Sequence, residues 1–251
     1  MKKKILLLLS ILLMPTLVAG CKQQTKEPEK QTETTKENIN FQYVNKGTVI
    51  LGDKKAYKPD EKLPDDVNVV EIYLDPYCPD CVVFETAIKP QLDKLIKEGK
   101  TVVKYHFFTF LSPKTIDDYS NRAASYMLAV AEYKPEIAKD FIDKIMTKEF
   151  RPQRGVKTPD ETFKKLYMSL GGDEATWNNK IEKSKTQIVE QIKTATAEAF
   201  NDTNLINKSP IKDRLFVPFI FVNDSPKAID AEGKDDIAEL FKEYFETHRK
   251  K

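Results

Sequence analysis

Residues 67–81 read VNVVEIYLDPYCPDC. Val67 to Leu74 is mostly β-branched and apolar, and suits a buried strand. Asp75-Pro76-Tyr77 makes a turn. A helix is predicted from about Cys78 to Glu98, with Phe84, Ile88, Leu92 and Leu95 at helical spacing and Gly99 as its stop. Pro90 should kink it. Cys78 and Cys81 open this helix, and thiols so placed can close a small ring without moving the backbone. The helix dipole and the free N–H groups of the first turn stabilise a thiolate at Cys78 and lower its pKa. A low-pKa thiol leaves readily, so a disulfide here turns over. The pattern predicts Cys78 as the exposed, attacking sulfur and Cys81 as the more buried, resolving one. A static staple of this size restrains little of the unfolded chain. A zinc site needs two further ligands, and the chain offers only His106 and His248 without a second Cys pair.

Outward from this segment, residues 101–111 (TVVKYHFFTFL) read as a central strand covered on both faces. Residues 67–111 therefore form a strand–helix–strand unit with a parallel crossover. Upstream, residues 41–51 offer one or two short strands, and 59–66 is a polar loop with two prolines. Residues 113–209 change character, with helical patterns at 116–132, 135–147, 159–170, 174–183 and 187–200. Gly171-Gly172 separates two of them, and Asp173 is an N-cap candidate. Residues 215–223 (LFVPFIFVN) return to strand, 227–230 offers a short partner strand, and 235–248 is a final amphipathic helix.

The chain has 251 residues and is 40% hydrophobic, enough for a real core. Its net charge of +2 argues against a general nucleic-acid binder, and Lys2, Lys3 and Lys4 alone turn the balance positive. Those lysines precede an apolar run, Ile5 to Leu17, and small residues, which is the layout of a secretory signal over residues 1–20. The run is shorter than the ~20 residues of a spanning helix and contains Pro15. The stretch ending in Cys21 resembles a bacterial lipobox. That resemblance implies cleavage before Cys21, thioether lipidation of its sulfur and acylation of the new N-terminus. Two or three acyl chains hold firmly to a bilayer. Residues 22–38 (KQQTKEPEKQTETTKEN) lack any large apolar side chain and read as a tether, so that 21–40 joins the lipid to the folded part.

Val217-Pro218 lies inside an apolar strand. Proline cannot donate to a ladder, so the bland reading is an edge position with a trans bond. The sharper reading is a cis bond facing the cysteines, which frees the Val217 backbone to bind an added substrate strand. Three acids lie near the thiols: Glu71 on the strand, Asp75 at its end and Asp80 between the cysteines. A nearby carboxylate disfavours a thiolate or relays a proton to it, so Asp80 is expected to raise the Cys78 pKa. His106 reads as a core histidine, Trp177, Met127 and Met146 as packing residues. No cofactor is called for.

Residues 70–81 (VEIYLDPYCPDC) resemble the active-site segment of the DsbA-like thioredoxin-fold family. The resemblance continues through Phe84-Glu85 and Pro90, through Ser120-Asn121-Arg122-Ala123-Ala124 and through Val217-Pro218-Phe219-Ile220-Phe221-Val222-Asn223. It implies an α/β fold of thioredoxin-like type, residues 41–112 and 210–251, with an all-helical insertion at 113–209. It implies a protein disulfide oxidoreductase in which Cys78 is the nucleophile, Cys81 resolves, and Val217 with cis-Pro218 docks the substrate chain. Pro79, Asp80, Glu71 and Asp75 would modulate the site. Asp80 stands where strongly oxidising members carry His, and Glu71 precedes Cys78 by seven residues where six is expected of the family's buried acid. The first departure points to a milder oxidant, and the second sets Glu71 apart from the family's proton-relay acid. The expected partners are cysteine-containing secreted proteins, a membrane redox partner for recycling, and the bilayer through Cys21, on the extracytoplasmic face of a Gram-positive membrane. The rival readings are a reductase or isomerase supplied with electrons from the membrane, and a non-catalytic peptide-binding lipoprotein.

Overall fold

The computed structural model describes residues 38–115, 117–211, 214–231 and 233–250. The signal segment, Cys21 and the tether to residue 37 lie outside the described residues. The five-stranded sheet has the order β2-β1-β4-β3-β5. Its strands are β1 (Thr48–Gly52), β2 (Lys55–Tyr57), β3 (Asn68–Leu74), β4 (Thr101–Phe107) and β5 (Phe219–Val222). Only β3 and β4 run parallel; the other neighbours are antiparallel. Parallel neighbours need a long crossover, and helix α1 (Pro79–Lys97) provides it. Val70, Ile72 and Leu74 of β3 are fully buried. On α1 the buried positions Cys81, Phe84, Glu85, Ile88, Leu92 and Ile96 make one stripe. The helix runs on through Pro90, which is exposed.

Residues between β4 and β5 form the helical insertion: α2 (Tyr119–Tyr133), α3 (Pro135–Ile145), α4 (Asp160–Ser169), α5 (Glu174–Thr176), α6 (Glu182–Asn201) and α7 (Thr203–Asn207). Helix α2 is buried almost all round, which its alanines at 123, 124, 129 and 131 permit, and it packs on α3 and α6. Helix α8 (Ile237–His248) closes the chain and packs against α1. Among the described residues no helix is long and apolar enough to cross a membrane.

Four local expectations change. Residues 41–44 are not a strand: the amides of Gln42, Tyr43 and Val44 are taken by the Glu132 carboxylate at 2.7, 2.8 and 3.1 Å. The short β2 lacks an apolar alternation and so left no signal. The two helices expected at 174–183 and 187–200 are one continuous run: the expected gap lies within α6, and a π-helical turn, Trp177–Ile181, interrupts the first of them. There Trp177 stacks on Tyr126 at 5.0 Å, and the widened turn seats the indole. The 215–223 strand shrinks to Phe219–Val222, and residues 227–230 contribute one ladder-like bond, Ile229 N–H to the Ile220 carbonyl at 2.9 Å, in place of a strand. Gly47 sits at φ 68°, where a Cβ would press on the Ile192 backbone at 3.3 Å, so the turn into β1 requires glycine.

The Glu132 clamp is a stability device. Glu132→Ala strands three amides, each net bond being worth about 1 kcal/mol and an unsatisfied buried group about 1–3. The variant should lose about 2–4 kcal/mol in urea unfolding followed by circular dichroism; a loss below about 0.5 kcal/mol would show that water replaces the carboxylate.

Candidate active site

The turn after β3 is tied down by its own backbone. The Cys78 N–H donates to the Asp75 carbonyl at 2.9 Å. Cys78 is then the N-cap of α1, and its sulfur accepts the Cys81 N–H at 3.4 Å. Pro79 and Asp80, both exposed, fill the first turn. A proline there loses no bond, because the first N–H groups of a helix have no partner within it. Both cysteines are free thiols. Cys81 is fully buried, as expected, but Cys78 is only 6% exposed, against the expectation of an open sulfur. The reason is the strand opposite. The Val217–Pro218 bond is cis, and the Val217 carbonyl accepts from the Cys78 thiol at 3.8 Å.

The two sulfurs are driven apart electrically. Hydrogen bonding from the Cys81 thiol lowers the Cys78 pKa most, burial opposes it, and the Cys81 and Asp80 amides assist. The Asp80 charge raises it, as expected, but is the least of these. Burial pushes Cys81 well above the ordinary thiol range, and its neighbour Cys78 adds to the shift. The pair therefore holds one sulfur suited to be a thiolate and one suited to stay protonated.

Asp75 is fully buried. Its Oδ1 accepts from the Tyr77 N–H at 2.8 Å and the Ser120 hydroxyl at 2.6 Å, and its Oδ2 from the Leu111 N–H at 2.9 Å. Burial raises its pKa to about 6 against these three donors. A thioredoxin family model matches residues 44–243. The chain belongs to the thioredoxin family. Solved structures with the same fold include MdbA, a thiol-disulfide oxidoreductase from Corynebacterium diphtheriae, at 20% identity and TM-score 0.58, covering 86% of this chain and 99% of that one. Reduced DsbA from Mycobacterium tuberculosis matches at 21% identity and TM-score 0.57, over 80% and 91% of the two chains. Oxidised BdbD from Bacillus subtilis matches at 21% identity and TM-score 0.53, over 86% and 100%. No curated protein matches the chain. The fold is thus thioredoxin-like with a helical insertion.

Within this thioredoxin-family frame the structure separates the acids. Glu71 turns to His106, whose Nε2 lies 2.7 Å from Oε1, and to Lys104 at 3.5 Å and the Tyr73 hydroxyl at 3.0 Å. Burial opposes its charge, but these partners bring its pKa to about 2. Burial lowers His106, whose Nδ1 is 3.0 Å from the Thr48 hydroxyl. The structure brings Cys78, Cys81, Asp75 and Val217 together and leaves Glu71 with His106.

Two neighbours of the site carried no assignment in the sequence. Arg151, from the loop after α3, lies 4.9 Å over the Tyr77 ring and donates through Nε to the Tyr77 carbonyl at 2.7 Å. Nothing local in its sequence marks it. Glu85, one turn beyond Cys81, is buried with Oε1 unpartnered and Oε2 3.4 Å from the Tyr105 hydroxyl. An acid on the apolar stripe of α1 was the available signal. Burial raises Glu85 to about 7, against the pull of Lys139.

Its folded pKa thus exceeds the reference value of 4.5. The stabilisation from holding the proton is full below that reference value and is lost as pH rises through about 7. Glu85→Gln should therefore match the parent near its acid limit and exceed it by about 2 kcal/mol at about pH 8 in chemical denaturation. A difference that does not change with pH would refute the buried-acid assignment.

Proposed function

We propose that this protein is a membrane-anchored, extracytoplasmic thiol–disulfide oxidoreductase that forms or exchanges disulfides in secreted proteins. The reading is carried by the Cys78 thiol capping α1, beside buried Cys81 and 3.8 Å from the Val217 carbonyl. It is supported by the shared fold with MdbA, which is described as a thiol-disulfide oxidoreductase.

In the oxidised pair, a client thiolate attacks Cys78. The Cys78–client bond forms, the Cys78–Cys81 bond breaks, and Cys81 departs with the electron pair. The client's second thiolate then attacks its own half of the mixed disulfide, closing the client disulfide and expelling Cys78 as a thiolate. Lowered Cys78 basicity makes it a good leaving group. Val217 presents its carbonyl at the mouth of the pair, so an extended client backbone docks against this segment as an added strand. Pro79 and Asp80 shape the solvent side of the pair, and Asp75 the buried side. Glu71, occupied by His106, acts only through the sheet. Oxidised clients are released outside the cell, where disulfides persist; a membrane redox partner reoxidises the pair. Lipidation at Cys21 keeps the folded part at the outer face of a Gram-positive membrane.

Cys81→Ala should accumulate mixed disulfides with secreted proteins on Cys78, seen as dithiothreitol-sensitive bands in nonreducing gels; Cys78→Ala should show none. Equal band patterns in the two variants would refute the mechanism. A reduction potential near the thioredoxin value of about −270 mV would reverse the direction to that of a reductase. Cys21→Ala should move the protein from the membrane fraction to the medium or wall fraction, and retention at the membrane would refute lipid anchoring.

A further inference from the structure

Ser120 belongs to the helical insertion, yet its side chain reaches the cysteine turn. It is fully buried near the start of α2, and its hydroxyl donates to Asp75 Oδ1 at 2.6 Å across 45 residues of sequence. Asp75 stands at the junction with the sulfurs. Its carbonyl holds the Cys78 N–H at 2.9 Å. Its amide favours, and its carboxylate opposes, a thiolate at Cys81. The other acids of this region are engaged elsewhere: Glu71 with His106 and Lys104, Glu85 with Tyr105, and Asp80 faces solvent. The exchange chemistry gives Ser120 no role, although it opens the stretch Ser120-Asn121-Arg122-Ala123-Ala124.

We propose that Ser120 is a positioning residue for the cysteine pair, acting on Cys81 through the Asp75 carboxylate that its hydroxyl orients. The inference rests on the disulfide-exchange reading above. When a client thiolate attacks Cys78, Cys81 leaves with the electron pair as a buried thiolate and takes up one proton from solvent. In the reverse step Cys81 loses that proton, attacks Cys78 and expels the client sulfur as a thiolate. Both steps run beside Asp75, so the charge on Asp75 weighs on both. An O–H donor stabilises an ionised carboxylate more than a neutral one. Ser120 therefore keeps negative charge beside Cys81 to a lower pH than burial alone would allow. Asp75 is faced by Cys78 and Cys81 from α1, by Lys114 from the turn after β4 and by Tyr119 from α2. Arg151 borders the group through Tyr77. Burial keeps the Tyr119 phenol neutral.

The test uses reduced folded protein and dithiobis(nitrobenzoate), a disulfide whose leaving thiol is ionised throughout the range studied. Attack by Cys78 releases one nitrothiolate, and attack by Cys81 on the resulting mixed disulfide releases the second. Stopped-flow traces from about pH 5 to about pH 8 give both rates, the first serving as internal reference. In the native protein the second rate should bend near pH 6, where Asp75 changes charge. Ser120→Ala, which removes a single oxygen, should move the bend up by about one pH unit. In an Asp75→Asn background the bend should be absent, and Ser120→Ala should change nothing further. A bend that stays in place in Ser120→Ala, or a Ser120→Ala effect that persists with Asp75→Asn, overturns the proposal. If Asp75→Asn does not fold, the single Ser120→Ala variant decides. Absence of the first release in the native protein would defeat the exchange reading itself, a result distinct from a normal first release with an unmoved second.

Discussion

Strand β3 has a parallel partner on one side and an antiparallel partner on the other, and the site depends on that pairing. The parallel register with β4, Leu74 opposite Phe107, brings both strands to an end at the same edge of the sheet. The antiparallel register with β5, Tyr73 opposite Phe219, brings the start of β5 to that edge as well. Val217 and Pro218 immediately precede β5, so they have nowhere to lie but over the turn that leads from β3 into α1. Slipping either register by one residue would exchange the faces of Val70, Ile72 and Leu74, all fully buried. The hydrophobic core therefore fixes the distance from Cys78 to Val217 without any bond made for that purpose.

Burial alone would make this site inert, because it disfavours every charge in it. What differs among the groups is the supply of donors. Cys78 receives the Cys81 thiol and, at the helix start, the Cys81 N–H, and ends below the usual thiol range. Cys81, further along the same turn and fully buried, ends above it. Asp75 has three donors and settles at about 6, whereas Glu85, with one distant hydroxyl and an unpartnered oxygen, settles at about 7. A group can thus be placed within reach of neutral pH from either side by counting donors against desolvation, which is how buried groups of one protein come to hold different protonation states.

How much of this was legible follows from which interactions are local. The β-branched run of β3, the apolar stripe of α1 and the paired cysteines are short-range patterns, and they were read from the sequence alone. The cis bond at Val217–Pro218 was read only with the help of family resemblance, since a proline in an apolar strand has a plainer explanation. Residues 41–44 looked like a strand because they are apolar and aromatic, yet their amides go to Glu132, about ninety residues away. Strand β2 left no trace because it is short and half-exposed. Arg151 over Tyr77 and Ser120 on Asp75 join segments far apart in sequence, and no periodicity encodes such contacts. The exposed Cys78 was inferred from its position at a helix start; the strand that covers it arrives from the other end of the chain.

The insertion is more than a cap over the sheet, because polar and charged side chains of the two parts meet. Asp75, from the strand end, meets Ser120 of α2. Lys89 and Asp93 of α1 meet Lys139 and Asp143 of α3 in a continuous ion cluster, with Lys139 at 2.9 Å from Asp93 and 2.5 Å from Asp143. Lys139 also acts on Glu85. Removing the insertion would therefore leave Lys89 and Asp93 of α1 with only each other and leave the Asp75 carboxylate without its hydroxyl donor. The fully buried Asp75 carboxylate would bear the cost of that lost donor. The thioredoxin part of this chain thus has its electrostatics completed by the insertion, and the two share one site although the sequence interleaves them.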